Sequence, residues 1–318
     1  MTIADRQNRP ENLELMAAAR QLYSEAKRSR AARAWIAVVL AVAGLAATSL
    51  SSLEAQSAIA IASFIFLALS PLMKESETDK AGVAASIQEQ FDVVVLGLEG
   101  NEALGTRVTP EEAHAAAARF GTDRSELKDW YQLGTARTLP EPLQALLCQR
   151  CNVVWDAQLR KRYGAAVLWT AIAVTILSLV LGAVFGLTLS GYVAGLVGVL
   201  PAVIHGVEVF AGHRRIGIRK NELAALAMAL WDEALKRKSA PPGKSLRCLQ
   251  SEIFHSRATT LLVPDRVARW LRPKSQAESS AAMQRLAAEA LQRFGQQPAD
   301  PSPAGPAVPV GAAPTPEA

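Results

Sequence analysis

Charge vanishes from two long blocks of the chain and crowds their borders. Ala34 to Leu53 holds no ionisable residue, Glu54 interrupts, and Ala55 to Met73 is again uncharged. The second block runs from Tyr163 to Ile204 without Asp, Glu, Lys, Arg or His. A helix crosses the hydrocarbon core of a bilayer in about 20 apolar residues. The first block therefore predicts two spans joined by a Ser-rich bend beside Glu54. The second predicts two more, Ala165 to Leu187 and Tyr192 to Phe210, with Thr188-Leu-Ser-Gly191 as the polar, flexible turn. Pro201 predicts a kink in the fourth span. The fold class expected is an all-α membrane protein, with four transmembrane helices as two hairpins and a mainly helical cytoplasmic region.

The polar remainder reads as helix too. Residues 1–33 place Leu13, Met16, Leu22 and Tyr23 at helical spacing and predict a helix running straight into the first hairpin, 34–73. The insert 74–162 begins with Ala84 to Phe91 continuing the second span. Val93-Val-Val-Leu-Gly-Leu98 suits either a short strand or a buried helix. Thr109-Pro-Glu-Glu supplies a hydroxyl cap, a first-turn proline and acids at the positive end of the dipole. Leu139-Pro-Glu-Pro142 opens a helix that leads into the second hairpin, 163–210. In the region 211–295 a helix should break at Ala240-Pro-Pro-Gly243, and Ser275-Gln-Ala-Glu278 matches a capping box. The tail 296–318 is rich in Pro and Ala and is expected to be disordered.

Composition sharpens this picture. The chain has 318 residues, 50% hydrophobic and 20% charged, and its mean hydropathy of +0.14 averages oily and polar blocks. Lys27, Arg28, Arg30 and Arg33 precede the first span, Lys74 follows the second, and Arg160, Lys161 and Arg162 precede the third. Arg214, Arg215, Arg219 and Lys220 follow the fourth, while the hairpin tips carry no base. Cytoplasmic loops hold the excess Lys and Arg, so both termini are expected in the cytoplasm. Nothing at the N-terminus resembles a signal peptide. The net charge of +5 is not gathered into a stripe for DNA or RNA, and no direct binding of either is expected.

The candidate chemistry is sparse. Cys148 and Cys151 form a C-x-x-C, but inside a helical stretch with no second ligand pair, so neither a metal nor another cofactor is expected. Without a phosphate loop, a nucleophile elbow or H-E-x-x-H, no catalytic residues and no enzyme are expected. Gln149, Asn152, Asp156 and Arg160 fall near one face of a helix, with Trp155 beside them. That stripe could hold a phosphate and a stacked base; an Asp156–Arg160 ion pair with Trp155 packed on a neighbour is the favoured reading, since such pairs are common on helix surfaces. His205 and Glu208 lie at the inner end of the fourth span. Glu208 is either a pore or gate acid or a partner of Arg214. Gly182, Gly186, Gly191, Gly195 and Gly198 permit close packing of helices.

The run Cys148-Gln-Arg-Cys-Asn-Val-Val-Trp-Asp-Ala-Gln-Leu-Arg-Lys-Arg-Tyr163 resembles the signature of the bacterial SMODS-associated four-transmembrane pore-forming effectors. Gln7-Asn8, Leu13 to Met16, Ile87-Gln-Glu-Gln-Phe-Asp92, Asp129-Trp130-Tyr131 and Val263-Pro-Asp265 agree in order. After the Phe-Asp run the family pattern has an aromatic-Asn pair where this chain has Gly100-Asn101. The resemblance implies a CBASS-type anti-phage effector of the bacterial inner membrane. Its cytoplasmic part, Trp130 and Tyr131 included, would respond to a cyclic oligonucleotide made by a cGAS-like nucleotidyltransferase. Four spans are few to surround a water path, so a pore implies a homo-oligomer in the lipid bilayer. The rival readings are a constitutive channel or transporter, and a non-conducting anchor for a cytoplasmic complex.

Overall fold

The computed structural model describes residues 1–49, 53–101, 108–186, 188–258 and 262–295. Among them every regular element is helical: α1 Ile3–Gln7, α2 Pro10–Ser49, α3 Leu53–Leu96, α4 Pro110–Phe120, α5 Glu141–Val184, α6 Leu189–Arg237, α7 Gly243–Ala258 and α8 Asp265–Gly295. Short 3-10 turns occupy Ser125–Leu127 and Gly134–Thr138.

Helices α2, α3, α5 and α6 hold 40, 44, 44 and 49 residues. At 1.5 Å per residue they are ~60–74 Å long, about twice the ~30 Å hydrocarbon core. Each therefore has one half suited to oil and one half left over. α2 pairs with α3, α5 pairs with α6, and α2 also lies along α6, closing a bundle.

The two halves bury opposite things. In the polar halves Met16, Ile87, Phe91, Leu146, Val153, Leu223 and Trp231 form one apolar core with α1, α4, α7 and α8. In the charge-free halves large apolar side chains point outward instead: Trp35 and Trp169 are each 68% exposed, and Val39, Ile61, Phe64, Leu72, Ile176 and Val193 lie open with them. Water would not tolerate so continuous an apolar surface, whereas lipid stabilises it. α3 and α5 are each long and apolar enough to cross a membrane, and α6 makes a third when its two straight segments count as one span. The protein is an all-α membrane protein. The expected first span and the bend before Glu54 lie partly outside the described residues, and the tail 296–318 lies wholly outside them.

Local chemistry explains most element ends. Thr2 and Asp5 cap α1 reciprocally, a capping box the sequence reading missed. The single N-terminal helix expected over 1–33 is broken at Asn8 and Arg9, ahead of Pro10, which cannot donate an amide to a preceding turn. The run Val93 to Leu96 is the last turn of α3, settling the strand-or-helix choice as helix. Thr109 caps α4 through Glu112, with Pro110 in the first turn. The second hairpin turns earlier than expected. Gly186, at φ 60°, makes the turn, and the Thr188 hydroxyl accepts from the Gly191 amide at 3.4 Å to start α6. α6 bends 45° between Leu189–Val197 and Val199–Arg237, where the Pro201 ring meets the carbonyl four residues back. The capping box at Ser275–Glu278 does not start a helix. That stretch runs through the middle of α8, which begins at Asp265 directly after Pro264.

Candidate functional site

A cavity of about 330 Å³ opens in the polar head. α2 supplies Arg20 and Ser24, α4 ends on it with Phe120, and α5 presents Cys148, Cys151, Asn152 and Trp155. The loop between α4 and α5 adds Glu126, Trp130, Tyr131 and Gln132, and α8 adds Asp265, Ala268, Arg269, Ser279, Ser280 and Met283. Arg20 stands over the Trp130 ring at 5.7 Å, a cation–π contact that orients both side chains. The Asp265 carboxylate is held by Lys27 Nζ at 2.5 Å. Arg20 and Arg269 remain as the cationic groups facing the cavity, beside two indoles. Such a lining suits a flat aromatic ring joined to an anionic group.

The sequence-derived site residues divide between this cavity and the packing below it. Asn152, Trp155, Trp130 and Tyr131 meet in the cavity. Gln149 is buried away from it, donating to the Leu246 carbonyl at 3.0 Å and to Gln250 Oε1 at 3.1 Å. Asp156 and Arg160 also lie elsewhere, with Asp156 Oδ2 taking Arg160 Nε at 3.0 Å and Lys220 Nζ at 2.8 Å. Burial opposes the charge on Asp156, but Arg160 and Lys220 outweigh it and hold the carboxyl well below its usual range. Burial brings Lys220 down to about 8 against the pull of Asp156. Arg20 and Arg269 were missed because each is one base among many in sequence; only the fold sets them against the tryptophans.

The floor of the cavity is wired to α3. Tyr131 donates its hydroxyl to Asp92 Oδ1 at 2.6 Å, and the fully buried Asp92 also takes Arg257 Nη1 at 2.5 Å and Gln250 Nε2 at 3.1 Å. Gln250 reaches on to Glu89 at 2.7 Å, which pairs with Arg247. The Tyr131 backbone is bracketed by Gln7, whose Oε1 accepts from its amide at 2.8 Å and whose Nε2 donates to its carbonyl at 3.3 Å. Asn8 grips Asp129 at 3.0 Å, and Asp129 is forced to φ 50°. Gln7-Asn8, Phe91-Asp92, Asp129–Tyr131 and Asp265 thus converge on one end of the molecule. Burial pushes the Cys151 thiol up to about 11, and Cys148 well above its ordinary value, so both are protonated at neutral pH. Among the described residues no cluster of metal-ligating side chains occurs.

The other candidates lie toward the apolar half. Glu208 is half-exposed and stands 4.0 Å from Arg33, which is itself clasped by Glu77 at 3.0 Å. Arg33, and not Arg214, is its basic neighbour. His205 is half-buried one turn earlier. Gly182 packs so closely on Tyr192 that an added Cβ would lie 2.6 Å from its ring. Gly191 and Gly195 are buried, Gly186 serves the turn, and the surroundings of Gly198 lie outside the described residues. At Gly206 a Cβ would lie 2.6 Å from Ala171 Cβ; it and Gly164 bring α5 and α6 together, and the small-x3-small spacing Ala202-x3-Gly206 is the sequence signal for the first of them.

Long helices that build a polar head and then continue as rods with outward apolar faces define a helical membrane protein with its polar mass gathered at one end. The chain belongs to the SMODS-associating 4TM effector domain family, whose model matches residues 1–286, and it is a membrane effector. It is similar to a probable CBASS effector molecule of Bacillus cereus (strain VD146), at 22% identity over 284 residues, 86% of this chain and 94% of that protein. No solved structure matches.

Proposed function

We propose that the chain is a non-enzymatic, pore-forming effector of a CBASS-type anti-phage system, opened by a cyclic oligonucleotide. Its four helices cross the bacterial inner membrane as two hairpins, with both termini and the cavity in the cytoplasm. Several copies assemble to surround the water path. One observation carries this reading: the cavity that pairs Arg20 and Arg269 with Trp130 and Trp155 is built on α2 and α5, which run without a break into the apolar layer. Ser24 lies ten residues before Ala34 on α2, ~15 Å along the axis. A ligand that shifts α2 or α5 at the cavity therefore moves the rod inside the membrane. The volume sits at the small end for ligand pockets and suits one base with its phosphate, leaving the rest of a cyclic ligand for the rim or a neighbouring copy.

Dye release from liposomes carrying the purified chain tests the proposal. With the cyclic oligonucleotides made by a cGAS-like partner, one ligand should empty the liposomes and the others should not. Trp130→Ala should lower sensitivity about 5- to 150-fold, the equivalent of ~1–3 kcal/mol per stacked base, and Arg20→Ala should lower it as well. Release without any nucleotide would favour a constitutive channel. Background release with every messenger would leave a non-conducting anchor.

A further inference from the structure

Where the bundle passes from its polar to its apolar half, four cations are buried among three helices: Arg30 and Arg33 on α2, Arg160 on α5 and Lys220 on α6. Two carboxylates answer them from inside. Glu77 of α3 clasps Arg33 through both oxygens at 3.0 and 3.2 Å. Asp156 of α5 is shared between Arg160 and Lys220, and Lys220 also donates to Ser256 of α7 at 3.1 Å. Glu208 of α6 lies outside, half-exposed, against Arg33. Counted together, Glu77, Asp156 and the half-exposed Glu208 answer three of the four cations, and Arg30 is the one that makes no ion pair among the described residues.

Arg30 is 4% exposed, and among the described residues its Nη2 has no hydrogen-bond partner. Burying a guanidinium with unmet donors is costly unless an acceptor is supplied. A second unmet donor lies nearby. His213 is fully buried, and Arg160 Nη1 stands 3.3 Å from its Nδ1. Arginine has no acceptor atom, so Nδ1 must accept and the ring proton must sit on Nε2. That Nε2 is buried and also has no partner among the described residues. His213 and Arg30 lie within electrostatic range of each other, and the Tyr163 ring meets the His213 ring edge-on at 5.1 Å while acting on Arg30 as well. Space is tight, since a Cβ on Gly164 would lie 3.2 Å from His213 Cβ.

We propose that this junction is an anion site for a single ion of halide size, seated on Arg30 and His213 between α2, α5 and α6. The crowding excludes a nucleotide, and the depth of the site inside the bundle excludes a lipid headgroup. The inference does not depend on pore formation, because the ion neutralises the junction whether or not the bundle conducts.

The test uses the full chain in phosphatidylcholine nanodiscs, with its melting temperature followed in sodium chloride against sodium gluconate at equal ionic strength. A saturable rise of a few degrees with chloride, reproduced by bromide, is expected. Arg30→Met should abolish that rise while melting no lower than the wild type in gluconate, since it removes an unneutralised buried charge. His213→Phe should abolish the rise too, and it stands in if the first variant does not fold. Chloride-35 NMR line broadening by the wild type, relieved by bromide, reads the site with no variant at all. The proposal is overturned if the wild type responds equally to gluconate and chloride, if both variants keep the rise, or if only phosphatidylglycerol in the disc produces it.

Discussion

Asp92 concentrates the energetics of the head in one carboxylate. It is fully buried and takes hydrogen bonds from Tyr131 in the α4–α5 loop and from Gln250 and Arg257 of α7. Removing one member of such a cluster strands the others without water. Asp92→Ala should therefore destabilise the head by about 3–5 kcal/mol, seen as a lower unfolding midpoint in detergent. The cysteines give a second residue-scale prediction. Thiolates react and thiols do not. At pH 8 an alkylating reagent should modify the exposed Cys248 first and leave Cys148 and Cys151 largely intact. Cys151 should gain reactivity only as the pH approaches about 11. His213 sets an acid limit. Burial, then Arg160 and Arg30, bring it from 6.5 to about 3. Between those values the unfolded chain binds a proton that the folded chain refuses, so stability falls as pH drops from 6.5 toward 3. A pH series of melting temperatures should show this limb flattened in His213→Phe.

Two glycines of the second hairpin separate packing from backbone geometry. At Gly206 an added methyl would lie 2.6 Å from Ala171 Cβ, so Gly206→Val should force α5 and α6 apart and cost about 1–3 kcal/mol. At Gly186 an added Cβ would meet nothing within 4 Å among the described residues, but φ is 60°, so Gly186→Ala should cost about 1–2 kcal/mol through the backbone alone. Thermal melts of both variants in one lipid check the pair. The elements were largely legible in sequence because their causes are local. The cap of α4, the proline kink of α6 and the break before α7 each follow from residues beside them. The misreadings also share a cause. Ser275–Glu278 carries the letters of a cap, but Met283, Ala287 and Ala290 are buried and tie its helix into the core, and α8 runs through it. Thr188 reads as turn in sequence because its capping role depends on where the chain has already reversed.

At the scale of the molecule, the sequence displayed the division between oil-facing and core-facing halves, since that division is a matter of composition over tens of residues. The cavity was only half visible. Asn152 and Trp155 stood on a recognisable helix and Trp130 in a recognisable motif. Arg20 and Arg269 come from segments about 250 residues apart that only tertiary packing unites. The same packing joins head and membrane, for α2 and α5 line the cavity and also carry apolar rods. Cysteine accessibility in intact cells and spheroplasts tests this directly, using Glu54→Cys and Ser190→Cys at the two hairpin tips and the native Cys248 on the head as internal control. The account predicts that an impermeant maleimide added from outside labels both tips and spares Cys248 until the membrane is opened. Tips reached only after permeabilisation, or a Cys248 labelled from outside, would contradict it.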